Sequence, residues 1–178
     1  FDILGEAFEK VISRTGLIFI GLLLVLNFLS RIPAEGFANL MVNNNFNSIV
    51  FLLGGPTDKL KCENICDMME SKAYNFAGKT NLKELKALLK KCDCVISGDT
   101  GPVHVAAAVG TPTLAIFGPS DETRYKPFGS EERHKIIKND IDCRPCGEHN
   151  CPRSHHKCMK DIPPREIFDA LKNIFSFL

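Results

Sequence analysis

Residues Asp93–Phe117 read DCVISGDTGPVHVAAAVGTPTLAIF. Asp93–Ser97 is a short, β-branched apolar run of the kind that makes a buried strand. Gly98–Gly101 is a turn. Pro102 then opens a helix that reaches Val109, because the first helical position needs no backbone N–H and tolerates proline. Gly110 and Pro112 turn the chain again, and Thr113–Phe117 is a second apolar strand. A strand, a helix and a second strand joined by tight turns predict a parallel crossover unit.

The same alternation continues outward. Ser48–Leu53 (SIVFLL) is a strand closed by Gly54-Gly55-Pro56, and Asp58–Met69 has helical character. Ala73–Phe76 is a short strand ending at Gly78. Asn81–Lys91 is the best-marked helix: Asn81 and Glu84 have capping-box spacing. Leu82, Leu85, Leu88 and Leu89 form its apolar stripe, and Lys83, Lys86, Lys90 and Lys91 its solvated face. Lys135–Lys138 is a further strand. Pro163-Pro164 begin a last helix with Ile167, Phe168, Leu171, Ile174 and Phe175 on one face.

The N-terminal third is read more coarsely. Phe1–Ile12 and Ala34–Val42 have helical spacing, the latter opened by Pro33. The apolar run Gly16–Leu29 is shorter than the roughly 20 residues of a membrane-spanning helix. Asn27 also interrupts it, which favours a buried parallel strand over a membrane-associated helix. The expected fold class is therefore α/β: one Rossmann-like, doubly wound parallel sheet over residues 1–178, with 143–158 as a cysteine-rich loop. The chain opens on Phe1, so a fragment or processed chain is expected, with any partner domain upstream out of view.

Lys plus Arg total 22 against 21 Asp plus Glu in 178 residues. That balance gives no electrostatic argument for a nucleic-acid partner. Ligands of open parallel sheets bind beyond the carboxyl ends of the strands. Three loops qualify: Gly54–Asp58, Ser97–Pro102 and Phe117–Asp121. In the middle one, Gly101 admits close approach to the backbone, and the N-terminus of the following helix attracts a phosphate. Thr100 and His104 can donate to it. Asp99 repels a phosphate, so it caps the helix or accepts from a sugar hydroxyl. Asp58 either caps its helix or accepts from ribose, and at Phe117–Asp121 a turn with Ser120 or Asp121 as cap is expected. The bland alternative for the middle loop is a helix cap with His104 packed on its helix. Neither GxGxxG nor GxxxxGK[ST] occurs, so dinucleotide and P-loop readings fall away.

The spaced set Gly78-Lys79-Thr80-x-Leu82, Asp99-Thr100-Gly101-Pro102-x-His104-x-Ala-Ala-Ala-x-Gly110-Thr111-Pro112 and Phe117-Gly118-Pro119-Ser120-Asp121 resembles the heptosyltransferases, glycosyltransferase family nine. RIPAEGFANL, FLLGGPTD and CMKDIPPREIFDAL fit the same pattern. The resemblance implies the C-terminal, donor-binding half of a GT-B architecture in an inverting sugar transferase. Its donor would be a nucleotide sugar, usually ADP-heptose, and its acceptor lipopolysaccharide or a related glycolipid or glycan. Asp99, Thr100, Gly101 and His104 would hold the diphosphate and adjoining sugar, Asp58 the ribose side, and Thr80 and Leu82 the base. The catalytic base would come from the upstream GT-B domain, and no metal is required for transfer. The setting implied is the cytoplasm, with peripheral contact at the inner face of the membrane left open. The sequence departs from the family at Ser30, where a lysine is usual; the adjacent Arg31 is the candidate replacement as phosphate ligand. Two other readings remain: a non-catalytic relative acting as a binding module, and another GT-B enzyme such as a nucleotide-sugar epimerase.

Of eight cysteines, Cys62, Cys66, Cys92 and Cys94 sit in helix and strand patterns that predict buried packing residues. Cys143, Cys146, Cys151 and Cys158 cluster with Arg144, Pro145, Gly147 and Pro152, which fit no regular element. Four soft ligands so close together fit a structural zinc, or an iron, with His149, His155 and His156 as alternative ligands. Free or redox-active thiols and disulfides are the other readings.

Overall fold

Six parallel strands form one sheet in the computed structural model, which describes residues 21–25, 49–69 and 73–176. They are β1 (Gly21–Val25), β2 (Ile49–Leu53), β3 (Ala73–Asn75), β4 (Cys94–Gly98), β5 (Thr113–Phe117) and β6 (His134–Lys138). Their spatial order is β3-β2-β1-β4-β5-β6. This is the doubly wound order of the Rossmann fold, with its reversal between β1 and β4. The apolar run of the N-terminal third thus supplies the central strand, with Leu24 paired to Leu52 on one side and to Ile96 on the other. The helices expected at Phe1–Ile12 and Ala34–Val42, and the candidate ligand Arg31, lie outside the described residues.

The helices are α1 (Lys59–Met68), α2 (Leu82–Leu89), α3 (Gly101–Ala108), α4 (Glu122–Tyr125), α5 (Lys157–Lys160) and α6 (Pro164–Ser176). A 3-10 turn at Pro56–Asp58 precedes α1. From β2 onward the expected elements fall within a residue or two of their observed bounds, while β1 occupies only Gly21–Val25 of the apolar run Gly16–Leu29. The two four-residue helices α4 and α5 were not foreseen, because a single turn carries no apolar period.

Strand alternation sorts the core into two layers. Val50, Leu52, Cys94, Ile96, Leu114 and Ile116 face α1 and α6, meeting Cys62, Ile65, Ile167, Phe168, Leu171 and Ile174. Their neighbours Ile49, Phe51, Leu53 and Val95 face Leu88 and Leu89 of α2 and Ala106 of α3. Every described residue of β2, β4 and β5 is buried, which is why these strands read as continuous apolar runs. Phe168 and Leu171 are fully buried in α6, each contributing about 1.5–3 kcal/mol. Cys62, Cys92 and Cys94 are buried packing residues as expected, and Cys66 packs beside them half-buried. Burial pushes the Cys62 and Cys92 thiols up to about 12, so both stay protonated.

The connections hold the carboxyl edge in place. Asn81 accepts from the N–H groups of Lys83 and Glu84, and Glu84 accepts from Asn81 N–H, closing the expected capping box on α2. Gly110, with φ +83°, ends α3 in the left-handed conformation that favours glycine. Thr111 then donates to the Leu89 carbonyl at 2.8 Å, tying the α3–β5 turn to α2.

Candidate donor site at the carboxyl edge

The loop after β4 leaves the sheet at its topological reversal, where α/β folds place ligands. Buried Ser97 hydrogen-bonds the Thr100 hydroxyl at 2.8 Å, and Thr100 also donates to the Gly98 carbonyl at 3.4 Å. Thr100 is the N-cap of α3 by backbone, in extended conformation, yet its side chain caps nothing. The expectation that Asp99 caps the helix is therefore corrected. Asp99 instead lies 3.5 Å from His104 Nε2, across the first turn of α3. The helix start is left without a side-chain cap and with Pro102 as its second residue. Gly101 is exposed, and a Cβ built there meets nothing within 4 Å. The outcome is an open, uncapped helix N-terminus with an imidazole and a carboxylate on one side. Such a terminus attracts anions through its N–H groups and dipole.

The loops after β2 and β3 are interlocked. Asp58 is buried and accepts from Gly55 N–H at 2.9 Å, and it packs so closely on Gly54 that a Cβ there would come within 2.7 Å of Asp58 Cβ. One carboxylate oxygen is thus engaged in the loop itself. Gly78 donates to the Gly54 carbonyl at 2.9 Å. It has φ +70°, and a Cβ there would lie 3.0 Å from Pro56 Cα. Thr80 follows half-buried, and Leu82 opens α2 with its side chain 70% exposed, an apolar surface beside the loop. The sheet order sets these loops in a row: Thr80 and Leu82 beyond β3, Gly54–Asp58 beyond β2, Asp99–His104 beyond β4. Three strand spacings of about 4.8 Å separate the ends of that row.

Beyond β5, Asp121 caps α4 by accepting from Thr123 N–H at 2.9 Å, as expected. A charged cluster centred on Arg144, a residue in no regular element, lies here. Arg144, 4% exposed, meets Glu122 at 2.9 Å and Asp140 at 3.5 Å. Lys138 meets the same two carboxylates at 2.9 and 2.8 Å. The Lys138 hydrogen bond, backbone donation and Arg144 hold the Glu122 carboxyl down at about 2. No spacing rule could have revealed Arg144, because its partners are 22 residues and more away for Glu122, Ser120 and Gly118.

Cys143, Cys146, Cys151 and Cys158 line one cavity of about 230 Å³ together with His155 and His156. Burial and then the charges of the other three thiols push the Cys158 thiol up. Backbone donation, foremost from His156, pulls the Cys151 thiol down. Ser154 and His156 adopt φ of 54° and 51°, and Gly147, one residue after Cys146, φ of 71°. Left-handed residues turn successive N–H groups toward one point and favour an anionic ligand such as a thiolate. Among the described residues no three His, Cys, Asp or Glu side chains converge closely enough to bind a metal ion. Four cysteines are chemically a soft-metal ligand set, and all four residues line the same cavity.

Residues 31–157 match the profile of Glycosyltransferase family 9 (heptosyltransferase). The chain belongs to this family. Lipooligosaccharide heptosyltransferase 2 of Campylobacter jejuni is 33% identical over 148 residues, covering 81% of this chain and 46% of that protein. The chain thus spans under half the length of that curated relative. Among solved structures, a family 9 glycosyltransferase from Veillonella parvula superposes with TM-score 0.76 at 23% identity, over 96% of this chain and 50% of the other. The iron-containing dodecameric heptosyltransferase TibC of enterotoxigenic E. coli, in complex with ADP-D-β-D-heptose, gives TM-score 0.64 at 16% identity, over 91% and 47%. These two likenesses show that the chain shares the parallel α/β fold of about half of each of those glycosyltransferases. No described helix is long and apolar enough to cross a membrane.

Proposed function

We propose that residues 1–178 form the donor-binding domain of an inverting heptosyltransferase that uses a nucleotide diphosphate heptose, with ADP as the nucleotide. The observation that carries this reading is the uncapped N-terminus of α3 at the sheet's reversal, with Gly101 open and the Asp99–His104 pair beside it. The diphosphate lies on the Gly101 end of α3, where backbone N–H groups and the helix dipole meet its charge. His104, held beside Asp99 in the first turn of α3, donates a ring N–H to a phosphate oxygen. Asp99 accepts from a donor hydroxyl. Leu82 presents its exposed side chain to the flat face of the base, with Thr80 beside it, and Asp58 shapes the Gly54–Asp58 loop on the ribose side. Arg31 completes the phosphate contacts.

In the transfer step an acceptor hydroxyl oxygen attacks the anomeric carbon from the face opposite the diphosphate. The carbon–oxygen bond to the diphosphate breaks and its electron pair leaves with the nucleotide, while the hydroxyl proton passes to a base. That base belongs to an acceptor-binding domain upstream. The α3 N-terminus and His104 of the donor-binding domain stabilise the departing diphosphate, which is where preorganised donors lower the barrier. The acceptor is a lipopolysaccharide core sugar, and the reaction takes place at the cytoplasmic side of the membrane. Cys143, Cys146, Cys151 and Cys158 are the residues that would hold a structural zinc or iron, which would order the loop; with four thiolates as ligands it would have no open position for substrate.

The test is ADP release from ADP-heptose in the presence of a truncated core acceptor, using the full-length enzyme. Asp99→Ala and His104→Ala are expected to lower kcat/KM by at least tenfold with unchanged melting temperature. Wild-type rates in both variants would place the donor elsewhere.

A further inference from the structure

The cysteine segment and the β5–α4 loop are distant in sequence, yet the first grips the second at successive backbone positions. Gly118, Pro119 and Ser120 present three consecutive carbonyls. Arg144 Nε donates to the Gly118 carbonyl at 2.6 Å, and its terminal nitrogen donates to the Ser120 carbonyl at 3.1 Å. Gly147 N–H donates to the Pro119 carbonyl at 2.9 Å. Met159 also packs onto Gly118 so tightly that a Cβ there would collide with the Met159 sulfur. Arg144, Gly147 and Met159 are the residues directly following Cys143, Cys146 and Cys158. Three of the four cysteines are thus followed by a residue that holds the same loop.

The grip is chemically specific. A guanidinium buried to 4% exposure must have its donors paired, and Arg144 divides them between two carbonyls and the Glu122 and Asp140 carboxylates. A lysine in its place carries one charge but not the planar fork that spans Gly118 and Ser120. The gripped loop leaves β5 beside the Asp99–Gly101 loop, since Gly98 of β4 pairs with Ile116 of β5. It therefore lies next to the loop after β4 at the carboxyl edge of the sheet.

We infer that the cysteine segment is a clamp that positions the β5–α4 loop for donor binding, with Arg144 as the positioning residue that transmits the order of the thiol cluster to the donor cleft. The positional part stands on the contacts alone; the link to donor affinity rests on the function proposed above. Arg144 touches no substrate in this account, so its effect is carried by the Gly118–Asp121 loop.

The experiment combines backbone hydrogen exchange with ADP titration on the full-length protein, comparing the parent, Arg144→Lys and Met159→Ala. Either variant suffices if the other fails to fold. The clamp predicts at least tenfold faster exchange at the amides of residues 118 and 120–123, with β4 and α6 unchanged. It also predicts ADP affinity lower by at least fivefold and a donor KM that rises more than kcat falls. Unchanged exchange in the loop, or acceleration spread evenly over the sheet, overturns the clamp. Faster loop exchange with ADP affinity equal to the parent overturns the link to the donor. If the parent itself binds no ADP, the proposed function falls, and the exchange result alone decides whether the clamp exists.

Discussion

Replacing Gly101 by alanine separates the stability of α3 from its function. Gly101 is the first residue of the helix, does not need a positive φ, and has no atom within 4 Å of the site where a Cβ would stand. The methyl group therefore costs the fold nothing in contacts. It also narrows the unfolded ensemble, a gain of about 0.4–1 kcal/mol at a compatible position. For a protein of this size that raises the melting temperature by about 1–4 °C. Ligand binding should move the other way. The methyl occupies the open space through which a diphosphate must approach the helix N-terminus, and hydrogen bonds to a charged group are worth about 1.5–3 kcal/mol each. Loss or lengthening of one such bond weakens nucleotide binding by about 10-fold to 100-fold. Thermal denaturation and calorimetric titration with ADP read the two effects on one sample. Equal ADP affinity in Gly101→Ala and parent would refute the placement of the diphosphate on α3. A fall in melting temperature would refute the claim that the site is sterically empty.

Gly78→Ala has the opposite character. With φ +70° and Pro56 Cα 3.0 Å from the new Cβ, it costs at least about 1–2 kcal/mol and lowers the melting temperature by about 2–8 °C. His134 is buried beside Thr113, whose hydroxyl lies 2.9 Å from Nδ1, and burial, then Arg133, lowers its pKa below 6.5. The unfolded chain binds that proton more readily, so the stability contributed by neutral His134 is complete above pH 6.5 and is lost as pH falls below it. Melting temperature should therefore drop less between pH 7.5 and 5.5 in His134→Gln than in the parent; parallel profiles would discount this residue. Elemental analysis of the purified full-length protein should find about one zinc or iron per chain, reduced in Cys151→Ser. Metal-free protein with four titratable thiols would remove the structural metal.

The parts of this fold that were legible in the sequence are those governed by local rules. Ile49–Leu53, Cys94–Gly98 and Thr113–Phe117 announce themselves because both faces of a central parallel strand are covered. Asn81 and Glu84 announce the start of α2 because a capping box has fixed spacing. The open helix start after β4 was readable for the same reason, since a glycine turn between a buried strand and a proline-started helix is a local pattern. Whether Asp99 caps the helix was not readable: the Thr100 backbone takes the cap position and Asp99 lies against His104 instead, a matter of geometry that no spacing rule carries. Asp58 turned inward onto Gly55 for a similarly geometric reason. The Arg144 contacts were invisible, since they join segments that only the closed sheet brings together.

The central claim is that this chain binds the nucleotide sugar donor over α3. Its most direct measurement is calorimetric titration of the folded protein with ADP-heptose, ADP and UDP-sugars, each repeated on His104→Ala. The account predicts saturable one-site binding of ADP-heptose and ADP, weaker binding of UDP-sugars, and at least tenfold loss in the variant. Equal binding by parent and variant, or a preference for uridine nucleotides, would contradict it.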